Sequence, residues 1–300
     1  MKRRDFVKKS FFVSGGLAIA PGILRKDLVN SNAKLTILHT NDTHSNIEPF
    51  PANHAKFPGM GGVSKRYALI EKIRSEEDHV LLLDAGDIFQ GTPYFNKYGG
   101  ELEMKLMSYM KYDAATMGNH DFDGGLDGFL RAKKYANFPF LCANYDFSDT
   151  ILKDQTQPHA IFEKGKLKIG VFGIGVELKG LVPDDKFGNT IYQDPILIAN
   201  KEALTLKNKG CDVIICLSHL GFEHPEGIIS DRILARKTEN IHIILGGHTH
   251  TFLDDPITEQ NLTGENVLIN QVGWGGVRLG RLDIEWDGKL NANKTIIEVK

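Results

Sequence analysis

The sequence predicts an α/β fold with two β-sheets, and three observations carry that prediction. Apolar, β-rich runs alternate with segments of helical apolar spacing. Five of the runs end in Asp, Asn or His, most of them beside glycine. Further strand-like runs follow the last helical segment, which implies a second sheet.

The elements follow in order. Residues 34–40 are β-rich and end in Asn41-Asp42-Thr43-His44. Residues 61–77 carry Val63, Tyr67, Ile70 and Ile73 at helical spacing opposite a polar face, so a helix with that stripe inward is expected. Residues 79–83 are continuously apolar, the pattern of a strand covered on both faces, and end in Asp84-Ala85-Gly86-Asp87. A second helix is expected over 101–112, with Leu102, Leu106 and Met110 as its stripe. A short strand over 114–117 leads into Gly118-Asn119-His120-Asp121, and a third helix covers 126–135. Residues 160–163 and 166–174 read as a hairpin across Lys164-Gly165. Then come a helix over 195–209, a strand over 211–217 ending in Ser218-His219, and a helix over 228–237. A strand over 241–245 ends in Gly246-Gly247-His248-Thr249-His250, and late strands are expected over 267–272, 278–286 and 295–299. The polar stretch 49–60 is expected to be a surface loop near the strand ends.

Composition narrows the function. With 41% hydrophobic and 25% charged residues in 300, the chain can bury a core and is neither a disordered tail nor a fibre. No apolar run reaches the ~20 residues that span a bilayer, so no stable membrane span is expected. The formal charge of −2 is uneven: beyond residue 33 the chain has 29 Lys and Arg against 36 Asp and Glu. An acidic body argues against nucleic acid as a partner. Three cysteines, Cys142, Cys211 and Cys216, are too few for a disulfide scaffold, show no CxxC spacing, and are expected as small core residues.

Residues 1–33 read as an address. A basic start containing Arg3-Arg4-x-Phe6-x-Lys8 precedes a short apolar stretch over 11–20, which resembles a twin-arginine signal. The expectation is an exported protein, periplasmic or extracellular, with 1–33 as signal peptide and 34–300 as the functional domain. Cleavage after Ala20 or after Ala33 both remain open. Folding before export would suit a protein that must acquire a metal in the cytoplasm.

The five strand ends supply metal-ligand residue types: Asp42-x-His44, Gly86-Asp87, Gly118-Asn119-His120, His219 and Gly247-His248-x-His250. Functional groups gather at the carboxyl ends of strands in α/β sheets. Two divalent cations need a shared anionic ligand and a ring of further nitrogen and oxygen donors. Asp87 suits the shared position. Asp42, His44 and His250 can complete one site, and Asn119, His219 and His248 the other. Period-two alternation in an extended segment would place His248 and His250 on one side. Mixed nitrogen and oxygen ligation suits manganese, zinc, iron or cobalt. Asp84 and Asp121 stay open between supporting carboxylates, helix caps and surface residues.

This series of motifs resembles the calcineurin-like metallophosphoesterases. The stretches Leu38-His39-Thr40-Asn41-Asp42-Thr43-His44, Asp84-Ala85-Gly86-Asp87-Ile88-Phe89-Gln90-Gly91-Thr92-Pro93 and Gly118-Asn119-His120-Asp121-Phe122-Asp123 are similar to the 5′-nucleotidase branch. So is Gln271-x-Gly273 followed by Leu279-Gly280-Arg281-Leu282-Asp283. The resemblance implies a two-sheet β-sandwich flanked by helices, a four-layer αββα metallophosphatase fold. It also implies a catalytic dyad of His120 and Asp123, with Asp123 orienting a histidine that assists the leaving oxygen. The implied reaction is hydrolysis of a nucleotide or related phosphate ester by a metal-bound hydroxide. The branch's C-terminal substrate-binding domain is expected to be absent from 34–300. A split nucleotidase whose substrate-binding domain is a separate chain, a non-catalytic metal-binding protein, and a thiosulfohydrolase-like relative are the alternatives.

Overall fold

The structure, a computed structural model, describes residues 33–225 and 227–300. The proposed signal segment therefore lies outside the described residues, apart from Ala33, which already opens the first strand. The elements run β1 (Ala33–Thr40), α1 (Val63–Glu76), β2 (Val80–Asp84), α2 (Pro93–Tyr98), α3 (Glu101–Tyr109), β3 (Ala114–Ala115), α4 (Gly125–Lys133), β4 (Tyr145–Asp146), β5 (His159–Lys164) and β6 (Leu167–Ile174). Then follow α5 (Asp184–Phe187), β7 (Ile191–Tyr192), α6 (Pro195–Asn208), β8 (Val213–Ser218), α7 (Asp231–Lys237), β9 (Ile243–Gly246), β10 (Ile257–Gln260), β11 (Asn266–Asn270), β12 (Arg278–Trp286) and β13 (Leu290–Glu298).

Two large sheets form the centre, ordered β13-β12-β1-β2-β3 and β10-β11-β9-β8-β6-β5. Strand alternation divides the apolar residues into layers. Leu35 and Ile37 of β1 and Leu81 and Leu83 of β2 pack against Val171, Ile215 and Leu245 of the other sheet. Leu38 and Leu82, on the opposite face, pack under α1, α3 and α4 through Ile70, Met104 and Phe129. Phe172, Ile214 and Ile244 pack under α6 and α7 through Ala203 and Leu234. Helices thus cover the outer face of each sheet, giving the four layers expected.

The late strands differ from expectation. They do not build the second sheet alone: β12 and β13 return to β1, and β10 and β11 extend a sheet already begun by β5 and β6. β13 starts at Leu290 rather than 295, because it pairs residue by residue with β12 from Trp286↔Leu290 onward. The helix expected from 228 begins at Asp231, where the Ser230 side chain accepts the Ile233 N–H and caps it. The strand expected over 114–117 keeps only Ala114–Ala115.

The buried stripes of two helices also differ. α1 buries Val63, Arg66, Ile70 and Ile73, so Arg66 takes the place expected of Tyr67. α3 buries Glu103, Met104 and Met107 rather than Leu102 and Leu106. Among the described residues no helix is long and apolar enough to cross a membrane. All three cysteines are unbridged; Cys142 and Cys216 are buried as expected, and Cys211 is half-buried.

His39 sits between the sheets, where Asn270 Nδ2 donates to its Nε2 at 2.8 Å. Its partner in the β1–β12 register is Gly280, where any side chain would collide with the imidazole. Burial lowers the His39 pKa from 6.5 to about 3. Between those two values the unfolded chain binds a proton that the folded chain does not. Stability is therefore complete above the unfolded value and falls as the pH drops towards the folded one. Lowering the pH from 7 to 5 is expected to cost about 2 kcal/mol through this group. Urea unfolding at the two pH values should show a smaller loss for His39→Gln, and equal losses would refute a neutral buried His39.

Candidate metal centre

β1, β2 and β3 run parallel in one sheet, and β6, β8, β9 and β11 in the other. The loops after β1, β2, β3, β8 and β9 bring their polar side chains together. Asp42, His44, Asp87 and His250 place one donor atom each within 4.8 Å of one another. Asp87, His219 and His248 form a second such group. Asp87 is common to both, as the sequence suggested. Asn119 joins the second group, its Oδ1 lying 2.8 Å from His248 Nδ1.

The donors face inward. His219 Nε2 lies 3.1 Å from Asp87 Oδ2 and 3.9 Å from Asp42 Oδ1. His44 Nε2 lies 3.8 Å from Asp87 Oδ2, and His250 Nε2 lies 3.4 Å from Asp42 Oδ1. His44 and His250 bring their Nε2 atoms within 3.0 Å of each other. His219 donates Nδ1–H to the Ala85 carbonyl at 2.7 Å, which leaves the Nε2 lone pair facing the carboxylates. That atom is fully buried and has no hydrogen-bond partner. Carboxylate oxygens and imidazole nitrogens collected this closely fit a cation of intermediate hardness.

The backbone is bent to make this arrangement. Asp42, His44, Asp87, His248 and His250 all have positive φ, from 47° to 74°. The expected extended geometry at His248 and His250 is thus replaced by left-handed backbone. The turn sends His250 towards Asp42 and His248 towards Asn119. Gly118 has no room for a side chain, because a Cβ there would collide with Asp87 Oδ1.

Supporting groups hold the turns. Asp121, open in the sequence, is fully buried and accepts four backbone N–H groups, from Asp87, Ile88, Phe89 and Gly118, at 2.8 to 3.1 Å. Burial first, and then the Asp87 charge, push its pKa up to about 7, while the N–H donors oppose the rise. Four donors and no acceptor leave a carboxyl proton nothing to face, so the ionised form fits this site. Asp84 is likewise buried and accepts Thr40 Oγ1 at 2.5 Å and Gly86 N–H at 2.9 Å. Asp121→Asn would turn an amide NH₂ against N–H donors. We expect manganese affinity to fall about tenfold by calorimetry; an unchanged affinity would show that Asp121 does not place Asp87.

Three supports were not assigned such roles from sequence. Gln271 clasps the His248–His250 turn: its Oε1 accepts from Thr251 N–H and Thr249 Oγ1, and its Nε2 donates to the Gly247 carbonyl. Asn41 donates to Asp42 Oδ2 and to the Gly273 carbonyl, and accepts Val272 N–H. Trp274 stacks on the His250 ring at 5.9 Å and 22°. It is met in turn by Phe50 and Phe57, so the 49–60 loop does reach the site. The local signals were two family-like patterns, the 38–44 stretch that contains Asn41 and Gln271-x-Gly273; Trp274 had none.

His120 and Asp123 lie at the open side. Asp123 Oδ2 accepts His120 Nδ1–H at 2.9 Å, and His120 N–H donates to Asp87 Oδ1 at 2.8 Å. The hydrogen bond to Asp123 raises the His120 pKa above its ordinary value, against the opposing effect of burial. In contrast, burial lowers His44, and lowers His248 to about 4. Burial would lower His219 too, but the Asp87 carboxylate beside it pushes it up to about 10. That balance reflects a demand for positive charge between His219 and Asp87, which a divalent cation also meets. Asp87 itself feels burial upward, yet the His219 charge holds it below the ordinary carboxylate range.

The sequence matches the calcineurin-like phosphoesterase family over residues 35–252. The chain belongs to that family. This calcineurin-like phosphoesterase is similar to snake venom 5′-nucleotidase of Crotalus adamanteus, 35% identical over 283 residues, which cover 87% of this chain and 47% of that protein. Its structure is similar to that of the 5′-nucleotidase precursor from Thermus thermophilus, with a TM-score of 0.79 and 32% identity, covering 89% of this chain and 54% of the other. The calcineurin-like phosphoesterase YfkN from Bacillus subtilis matches with a TM-score of 0.74 and 27% identity, covering 90% of this chain and 92% of that one. The chain spans about half the length of the curated 5′-nucleotidases it matches.

Proposed function

We propose that this phosphoesterase is an exported, dinuclear metal-dependent hydrolase of phosphate esters, with nucleoside 5′-phosphates as its substrate class. The observation that carries the reading is the sharing of Asp87 by two donor groups, with the His120–Asp123 pair beside them. Asp42, His44, Asp87 and His250 would hold one cation, and Asp87, Asn119, His219 and His248 the other. Manganese, zinc, iron and cobalt all suit this donor set. Bound there, the cations would supply Lewis acidity and an activated water.

The chain's own residues do the rest. Asp87 would serve both sites and Asp42 one of them, each from a buried position. Asp123 fixes the His120 ring through Nδ1–H and favours its protonated form, so that Nε2–H is available to the leaving oxygen. His120 is half-exposed, as a group that meets substrate must be. The nucleotide preference rests on the 5′-nucleotidase relatives. Export rests on the twin-arginine-like residues 3–8.

The test is phosphate release by the full chain loaded with manganese, zinc or cobalt, on AMP, UDP-glucose, a cyclic nucleotide and 4-nitrophenyl phosphate. Turnover of a nucleotide is the expected result. Turnover of the nitrophenyl ester alone would uphold the hydrolase but overturn the nucleotide preference, and would direct attention to a separate substrate-binding chain. No turnover by protein carrying two metal equivalents would overturn the phosphohydrolase reading. Arg3→Lys with Arg4→Lys should abolish export from a host with a twin-arginine pathway, and unchanged secretion would refute that address.

A further inference from the structure

Beneath the metal loop lies a feature that metal binding does not use. Arg66 of α1 and Glu103 of α3 are both 3% exposed, deep inside a helix-covered core. They form no direct ion pair. Arg66 Nε and Nη1, both Glu103 carboxylate oxygens and Ser45 Oγ are buried with no hydrogen-bond partner. All three residues line one cavity of about 10 Å³, closed by Thr43, Ile88 and Met107. That volume holds a single water.

We propose that Arg66 and Glu103 clamp one buried water under Ser45, and that this assembly positions the Asp42–Ser45 segment. Two unpaired charges in a core would cost several kcal/mol. A water can accept from the guanidinium, donate to the carboxylate and bond the hydroxyl at once, which matches the two to four partners such waters have. The opposite charges cancel, so the cavity favours a neutral occupant over an ion.

The segment above needs such a support. Asp42, His44 and Ser45 have φ of 48°, 47° and 52°, a left-handed conformation that non-glycine residues keep only when their surroundings over-determine it. From above, Asp42 N–H, His44 N–H and Ser45 N–H donate to the carbonyls of Gly86, Asp87 and Ile88. From below, Ser45 Oγ faces the cavity. Arg66 also lies against Gly276, whose neighbour Gly275 donates its N–H to the Asp42 carbonyl at 2.7 Å. Arg66 and Glu103 are thus positioning residues that act on Asp42 and His44 through the loop, an assignment that rests on those two residues holding metal.

A crystal structure that resolves ordered water is expected to show one molecule within hydrogen-bond distance of Ser45 Oγ, Arg66 and Glu103. A dry cavity, or a direct Arg66–Glu103 pair closing it, would overturn the proposal whatever the enzyme's substrate. The double substitution Arg66→Met with Glu103→Leu removes both charges together. Its Tm is expected to stay near that of the parent, because apolar replacement of a buried pair is commonly tolerated. Its manganese affinity by calorimetry is expected to be about tenfold weaker, with kcat restored at saturating manganese. A parental affinity in that variant would reduce the pair to packing and sink the proposal. Should the double variant fail to fold, Ser45→Ala removes only the hydroxyl. A weaker manganese affinity at unchanged Tm supports the clamp, and an unchanged affinity overturns it. A parent chain that binds no manganese would instead count against the metal centre, and the crystallographic water would still decide the clamp.

Discussion

Asp87→Asn is expected to leave the protein folded, without bound metal, and at least about a thousandfold slower in phosphate release. Asp87 is the one side chain common to both donor groups, and each of its oxygens has a separate task. Oδ1 receives His120 N–H, while Oδ2 faces His219 and His44. An amide can keep the first contact only by turning its NH₂ towards the imidazoles. That NH₂ would then occupy the His219 lone pair otherwise free for a cation. The anionic charge shared by the two sites would go as well. Metal content by elemental analysis after dialysis, together with phosphate release, checks this. A variant that keeps two equivalents and near-parental turnover would remove Asp87 from the shared position.

His120→Ala should behave differently. Its metal content is expected to stay at the parental level, because none of the proposed ligands depends on the imidazole. Turnover of AMP should fall by about 10²–10⁴, the usual contribution of a positioned acid. The loss should depend on the leaving group. Ribose oxygen departs poorly without a proton, whereas nitrophenolate is stable as an anion, so 4-nitrophenyl phosphate should lose much less. Equal losses on both substrates would assign His120 to charge stabilisation instead of proton donation. Loss of metal would refute its separation from the ligand set.

The site was far more legible than the support beneath it. Asp42, His44, Asp87, Asn119, His219, His248 and His250 were visible because each follows an apolar strand. Strand periodicity and residue chemistry are both local properties of the chain. All seven converge in the structure, as does the His120–Asp123 pair. Asp121 was ambiguous, because a carboxylate in a turn looks the same whether it meets water or four buried N–H groups. Gln271 was legible only as part of a family-like pattern, and Arg66 and Glu103 lay outside the apolar stripes expected of their helices.

The helix stripes show why. Tyr67 and Leu106 fit an apolar stripe as well as any residue, yet Arg66 and Glu103 are the ones turned inward. Helical periodicity fixes which residues share a face but leaves the rotation of that face to the packing of neighbours. The sequence by itself determined the order of the longer elements, though not α2, β4, α5, β7 or β10, and with it the residue types at the strand ends and the chemistry those types can perform. Only the tertiary structure decided that β12 and β13 return to β1, that left-handed turns part His248 from His250, and that two charges meet one cavity under Ser45. Each of these depends on pairing or packing between segments far apart in the chain, where no local periodicity carries the information.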